Sequence, residues 1–141
     1  NVVAAFQMAR ACAPALRKSG RAALVNVSSL AAFLGTGSSI AYAASKGAVN
    51  VLTLSLARVL APEVRVNAVL PGIVDTPWMI KGYGEARYAK LSASYRAVAP
   101  LKSTCSPDDI AETIVWLIEG AGMVTGETIF GDAGMHAATP R

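Results

Sequence analysis

The chain has little of what metal sites, disulfide scaffolds and nucleic-acid surfaces are built from. It holds one histidine, His136, and two cysteines, Cys12 and Cys105, far apart in the sequence. That supply argues against a metal site and against a disulfide framework, and points to reduced thiols in a cytoplasmic protein. Charged residues are only 16% of the 141, and although the net charge is +4, the lysines and arginines form no run and no basic stretch interleaved with aromatics. No nucleic-acid partner is expected from such a pattern. No uninterrupted apolar stretch reaches the ~18 residues of a membrane span, and no secretory leader is read, so no membrane partner is expected either. Aromatic residues are 6%, against 27 alanines and 12 glycines in a chain that is 53% hydrophobic. Small apolar side chains let helices lie close to sheets and to each other, which favours a tight α/β interior over a sandwich filled with rings.

What is present alternates between helical and strand-like patterns. Val2, Val3, Phe6, Ala9, Ala13 and Leu16 recur at helical spacing and predict a helix from Val2 to about Arg17, kinked by Pro14 and ended at Ser19-Gly20. The run Ala22 to Val27 is nearly all apolar, as in a parallel strand covered on both faces. A second helix from about Ala41 to Leu60 carries one stripe of Val49, Leu52, Leu56 and Val59 and another of Gly47, Val51 and Leu54. Two stripes need two covers, and the second is expected to be another subunit. Val64 to Leu70 is the next strand, ended by Pro71-Gly72.

From Pro77 to Pro100 the periodicity is loose, and the segment is expected to be a substrate loop after a strand, with Trp78 and Met79 nearest the site. Ser106-Pro107-Asp108-Asp109 then has the form of a helix start with a capping box, and Ile110, Ile114, Leu117 and Ile118 supply its buried stripe. Glu127 to Phe130 is a last strand, closed by Gly131-Asp132-Ala133-Gly134. Right-handed crossovers make the three strands parallel, giving an α/β fold with a doubly wound, Rossmann-like sheet. Three strands leave an edge that something must cover. The chain enters its first helix with no lead-in, so residues 1–141 are expected to be the C-terminal part of one such domain, without its N-terminal strands.

The most informative spacing is Tyr42-Ala43-Ala44-Ser45-Lys46. At i and i+4 of a helix the phenol and the ammonium share a face. A phenol with a pKa near 10 is a poor base at neutral pH, and a neighbouring cation favours its phenolate. Ser29 stands at the C-terminal end of the first strand, the edge where open parallel sheets hold ligands. Its hydroxyl is placed to bond a carbonyl or alcohol oxygen and turn it toward Tyr42. Pro71-Gly72-Ile73-Val74-Asp75-Thr76 leaves the second strand at the same edge. Pro71 fixes the exit, Gly72 permits close backbone approach, and Ile73 and Thr76 offer backbone and hydroxyl bonds to a bound amide.

Asn26-Val27-Ser28-Ser29, Tyr42-x-x-x-Lys46 and Pro71-Gly72-x-x-x-Thr76, in this order, resemble the short-chain dehydrogenase/reductase family, and the likeness runs from Asn1 to about Gly134. The resemblance implies an oxidoreductase that uses NAD or NADP to interconvert a carbonyl and a secondary alcohol of a small-molecule substrate. It implies Ser29, Tyr42 and Lys46 as the catalytic core, with Asn1, at the head of the first helix, supporting a water that relays protons to Lys46. Lys46 would also hold ribose hydroxyls, and Ile73 and Thr76 the carboxamide of the nicotinamide. It further implies a homodimer or homotetramer, and a 3-oxoacyl thioester reductase is the leading specific expectation. The family's glycine-rich phosphate-binding turn is not in this sequence, and Gly35-Thr36-Gly37 does not replace it. The competing expectation is a truncated or regulatory relative without catalysis, acting through its doubly apolar helix as a binding or oligomerisation module. Cys105 is expected to fill a loop, and His136 is given no role.

Overall fold

A computed structural model describes residues 1–138. Its elements are α1 (Val2–Lys18), β1 (Ala22–Val27), α2 (Ala31–Leu34), α3 (Ile40–Leu60), β2 (Val64–Pro71), α4 (Pro77–Tyr83), α5 (Glu85–Val98), α6 (Pro107–Glu119), β3 (Thr128–Gly131) and a 3-10 turn, Met135–Ala137. The sheet order is β1-β2-β3, all parallel, with Ala22 opposite Val64 and Ala68 opposite Thr128. This is the expected α/β architecture. No strand lies on the outer edge of β1 among the described residues.

β2 is the centre of the sheet, and its alternation sorts the helices to two faces. Val64 and Val66 point to α1 and α3, where they join Ala22, Ala57 and Leu60 in a core completed by Ala13, Leu16, Leu24 and Leu56. Val69 points the other way and meets Ile110 and Ile114 of α6 and Cys105. Of the two stripes expected on α3, Val49 is buried and Leu52 and Leu56 are half-buried, but Val59 is exposed together with Val51 and Leu54. α3 is long and apolar enough to cross a membrane by length and composition, yet it packs on β2, α1 and α2.

Polar side chains tie the faces together. Asn26 of β1 donates to Thr53 of α3 at 2.9 Å, and Thr53 donates to the Val49 carbonyl at 2.8 Å. On the other face Arg65 donates to the carbonyls of Leu117, Ala121 and Ile118 at 2.7, 2.8 and 2.8 Å, closing the C-terminal end of α6 with a cation where the helix dipole is negative. Arg65→Met keeps the aliphatic stem and deletes all three charge-assisted bonds. It is expected to destabilise the fold by about 2 kcal/mol, read as a shift in urea midpoint.

The capping box of α6 forms as expected. Ser106 accepts from the Asp109 amide, and the Asp109 carboxylate accepts from the Ser106 amide and hydroxyl at 2.6 and 2.8 Å. Those bonds hold the Asp109 carboxyl below its ordinary value. A lowered folded-state pKa adds stability above the unfolded value, near 4, and loses it as pH falls through the folded value. Asp109→Asn is therefore expected to flatten the acid limb of the stability curve, and an unchanged acid limb would contradict the assignment.

The segment Pro77 to Pro100 differs from its expectation. It is not a loop but two helices, α4 and α5. Pro77 follows the N-cap Thr76, and Gly84, at φ 78°, breaks the two helices apart. The loose periodicity arises because α5 buries Tyr88, Ser92 and Tyr95, a stripe of rings and a hydroxyl rather than of aliphatic side chains.

Candidate active site

All three strands deliver their C-terminal ends to one edge of the sheet, and α3 starts beside it. Ser28 follows β1 in extended form, with its amide donating to the Val69 carbonyl at 2.8 Å, and Leu30 donates to Pro71 at 2.9 Å. The chain after β1 is thus laid along the end of β2. Ser29 lies in this stretch, half-buried, its hydroxyl accepting from the Ala31 amide at 3.1 Å at the start of α2.

Period-two alternation turns Ser28, not Ser29, toward α3. The Ser28 hydroxyl donates to the Lys46 carbonyl at 3.1 Å, and the Lys46 ammonium donates back to the Val27 carbonyl at 2.8 Å. This reciprocal pair staples the end of β1 to the turn of α3 that carries Lys46. The ammonium also sits 5.8 Å from the centroid of the Tyr42 ring, within cation–π range. Burial lowers the Lys46 pKa from its ordinary value, since partial desolvation disfavours the charged form.

Tyr42 and Lys46 therefore share the face that their spacing predicts. Ser39 caps α3 by accepting from the Tyr42 amide at 3.0 Å. Gly37, at φ 126°, lets the α2–α3 connection close on the Tyr42 ring: a Cβ there would lie 3.2 Å from Tyr42 Cδ1 and 3.1 Å from Ala31 Cβ. Asn1 precedes α1 and donates through Nδ2 to the Ser45 hydroxyl at 2.7 Å. That places it against the same turn of α3, one residue from Lys46.

At Gly72 the structure shows a constraint from within the chain. A Cβ on Gly72 would lie 2.0 Å from the Tyr95 hydroxyl, so the missing side chain makes room for α5 of this same chain. Tyr95 uses the space to donate to the Asp132 carbonyl at 2.7 Å. Ile73 accepts from the Cys105 amide at 2.9 Å, and Thr76 accepts from the Met79 amide at 3.3 Å as N-cap of α4. Trp78 is exposed and Met79 half-buried on α4, directly after Thr76.

Ser28, Asp132 and His136 escape the sequence reading. Ser28 was legible from strand alternation, which sends it to the helix side. His136 has partners after all: its ring stacks on Phe130 with centroids 4.0 Å apart, and Nδ1 lies 3.0 Å from Asp132 Oδ2. Phe130 in turn meets Phe33 of α2 edge-on at 5.1 Å. Asp132 is buried and accepts from the amides of Gly134 and His136. Cys105 pairs with Val74 in a parallel bridge, and burial pushes its thiol up, as befits an inert filler.

The donor set fits the nicotinamide and ribose end of a dinucleotide. Lys46 carries three N–H donors, and among the described residues one is used, leaving two for vicinal hydroxyls. The Thr76 hydroxyl accepts one bond and keeps its own hydrogen to donate.

Comparison with known proteins agrees with the fold and the family. The family model described as enoyl-(acyl carrier protein) reductase matches residues 1–136. The chain is 43% identical over 129 residues to the short-chain dehydrogenase/reductase homolog YusR of Bacillus subtilis, covering 92% of this chain and 95% of that protein. The crystal structure of a 3-oxoacyl-[acyl-carrier protein] reductase from Brucella melitensis with bound NAD superposes with a TM-score of 0.80 at 30% identity, over 96% of this chain and 49% of that one. ElxO with NADP bound superposes with a TM-score of 0.86 at 27% identity, over 97% and 55%. The chain spans about half the length of most curated relatives it matches. On the match of nearly its whole length, the chain belongs to the short-chain dehydrogenase/reductase family of oxidoreductases.

Proposed function

We propose that this chain carries the proton-transfer half of an NAD(P)-dependent reaction that interconverts a carbonyl and a secondary alcohol. The observation that supports it most is the Tyr42–Lys46 turn, stapled through Val27 and Ser28 to the ligand-bearing edge of the sheet. Tyr42 is the acid and base: its phenol gives a proton to the substrate oxygen in reduction and takes it back in oxidation. The Lys46 ammonium, 5.8 Å from the ring centroid, sets a positive charge beside the phenol. Ser29 donates to the reacting oxygen and orients it. Asn1, against the turn of Lys46, supports a water that relays a proton to Lys46 after Lys46 has passed one toward Tyr42.

The nicotinamide, when bound, supplies or accepts the hydride. Lys46 holds its ribose hydroxyls, Ile73 and Thr76 its carboxamide, and Pro71 and Gly72 form the turn beneath. Activity requires a phosphate-binding turn, which Gly35-Thr36-Gly37 does not supply. Assembly into a dimer or tetramer is part of this reading: Phe6 of α1 and Val51, Leu54 and Val59 of α3 are exposed on neighbouring helices.

For the substrate, the similarity to a 3-oxoacyl-[acyl-carrier protein] reductase favours a 3-oxoacyl thioester. A panel of 3-oxoacyl thioesters and cyclic ketones, assayed with NADH and NADPH, tests it. The thioesters are expected to give the highest kcat/KM, and a cyclic ketone ranking first would displace this choice. A second reading, a binding module without catalysis, is favoured by the near-complete coverage of the short relative YusR. An intact mass near 14.5 kDa for the native protein would support the module.

A further inference from the structure

Asp75 is the residue between the nicotinamide-side turn and the helices α4 and α5, and it gathers more partners than a surface carboxylate needs. One oxygen, Oδ1, accepts from the Tyr88 hydroxyl. The other, Oδ2, accepts from the Thr104 hydroxyl at 2.8 Å and from Arg96 Nη2 at 3.1 Å. Arg96 Nη2 also donates to the Thr104 hydroxyl at 2.8 Å. The backbone of the same residue is fixed as well. Its amide donates to the Cys105 carbonyl at 2.8 Å, while the Cys105 amide donates to Ile73 at 2.9 Å around the Val74–Cys105 bridge.

Tyr88 and Arg96 lie eight residues apart on α5, so a single carboxylate grips that helix at two turns. Tyr88 stays protonated as a donor throughout the working range, since burial and the Asp75 carboxylate push it up to about 12. The Arg96–Asp75 ion pair is half-exposed and by itself contributes little to stability. What the arrangement specifies is position. Thr76, the next residue, is the N-cap of α4, which carries Trp78 and Met79.

We infer that Asp75 is a positioning residue that sets the placement of α4 and α5 at the strand-end edge, where Tyr95 packs with Leu30 and Ile73, and thereby the substrate affinity. This rests on the oxidoreductase reading above. Asp75 has Tyr88, Arg96 and Thr104 as its side-chain partners, not Tyr42 or Lys46. It acts through α5 and through Thr76, so its loss disturbs the pose of α4 and α5 more than the Tyr42–Lys46 chemistry on α3.

The test uses the complete polypeptide and compares wild type with Asp75→Ala, Asp75→Asn and Tyr88→Phe in steady-state kinetics and limited proteolysis. Asp75→Ala is expected to raise the substrate KM about tenfold with kcat within about threefold, because misplacement of a binding wall weakens substrate binding more than the chemical step. It is also expected to speed cleavage between Pro77 and Val98. Asp75→Asn keeps an acceptor for Thr104 and is expected to restore most of the affinity. Tyr88→Phe is expected to raise KM alone and decides the matter should Asp75→Ala fail to fold. A role in stability only would lower the active fraction and kcat at unchanged KM. That result, or unaltered kinetics in all three variants, overturns the inference. An inactive wild type overturns the functional reading instead, which is a separate failure.

Discussion

Replacing Tyr42 by phenylalanine in the complete polypeptide is expected to lower turnover by about a thousandfold while leaving nicotinamide binding within about threefold. The substitution removes only the phenolic oxygen. The ring keeps its packing against the Gly37 connection, and the Lys46 ammonium keeps an aromatic face beside it. Lys46 stays tied to Val27, and Ser28 to Lys46, so the groups assigned to hold the cofactor remain in place. What goes is the proton donor, and general acid–base groups of this kind contribute about 10²–10⁴ in rate. Titration of protein fluorescence with NADH and NADPH measures the binding half of the prediction, and initial rates measure the other. Rates within twofold of wild type would remove Tyr42 from the mechanism.

Gly72→Ala is expected to destabilise the protein by about 3 kcal/mol, the upper range for overpacking, although it adds one methyl group. That methyl lands 2.0 Å from the Tyr95 hydroxyl and 3.0 Å from Asp132 Cβ. Tyr95 cannot retreat without abandoning the Asp132 carbonyl, its hydrogen-bond acceptor at 2.7 Å in a buried setting. Burial and the nearby Asp132 charge push the Tyr95 phenol far above its ordinary pKa, so it remains a donor at any working pH. Tyr95→Phe alone is expected to cost about 1 kcal/mol for the lost bond. In the double variant the 2.0 Å contact is gone and only the 3.0 Å contacts to Tyr95 Cζ and Asp132 Cβ remain, so the two costs are expected to fall short of additive. Urea unfolding of the four proteins measures this coupling, and strict additivity would contradict the contact.

The sequence made some of this legible and concealed the rest for physical reasons. Strands β1 and β2 and helices α1, α3 and α6 were readable because their apolar residues keep one period throughout and their ends carry Pro, Gly or a capping box. α4 and α5 were not, because α5 docks through Tyr88, Ser92 and Tyr95, whose rings and hydroxyls carry no aliphatic period. The Tyr42–Lys46 pair followed from i,i+4 spacing alone. The role of Gly72 did not, since it depends on Tyr95, a residue 23 positions later that no local pattern connects to it. His136 was opaque for the same reason: its meaning comes from Asp132 and Phe130, brought together by the turn after β3. The closing Ala133 is informative in retrospect. It sits at φ 55°, in the left-handed region that favours glycine.

In the proposed reaction Tyr42, Lys46 and Ser29 serve a nicotinamide-linked exchange between a carbonyl and an alcohol. Its most direct test mixes the complete polypeptide with a 3-oxoacyl thioester and reduced nicotinamide dinucleotide, in both NADH and NADPH forms, and quantifies both products. The account predicts that oxidised nicotinamide and the 3-hydroxy product appear in equal amounts with wild type, and at about a thousandth of that rate with Tyr42→Phe. Consumption of the nicotinamide without formation of an alcohol, or equal rates from the two proteins, would contradict it.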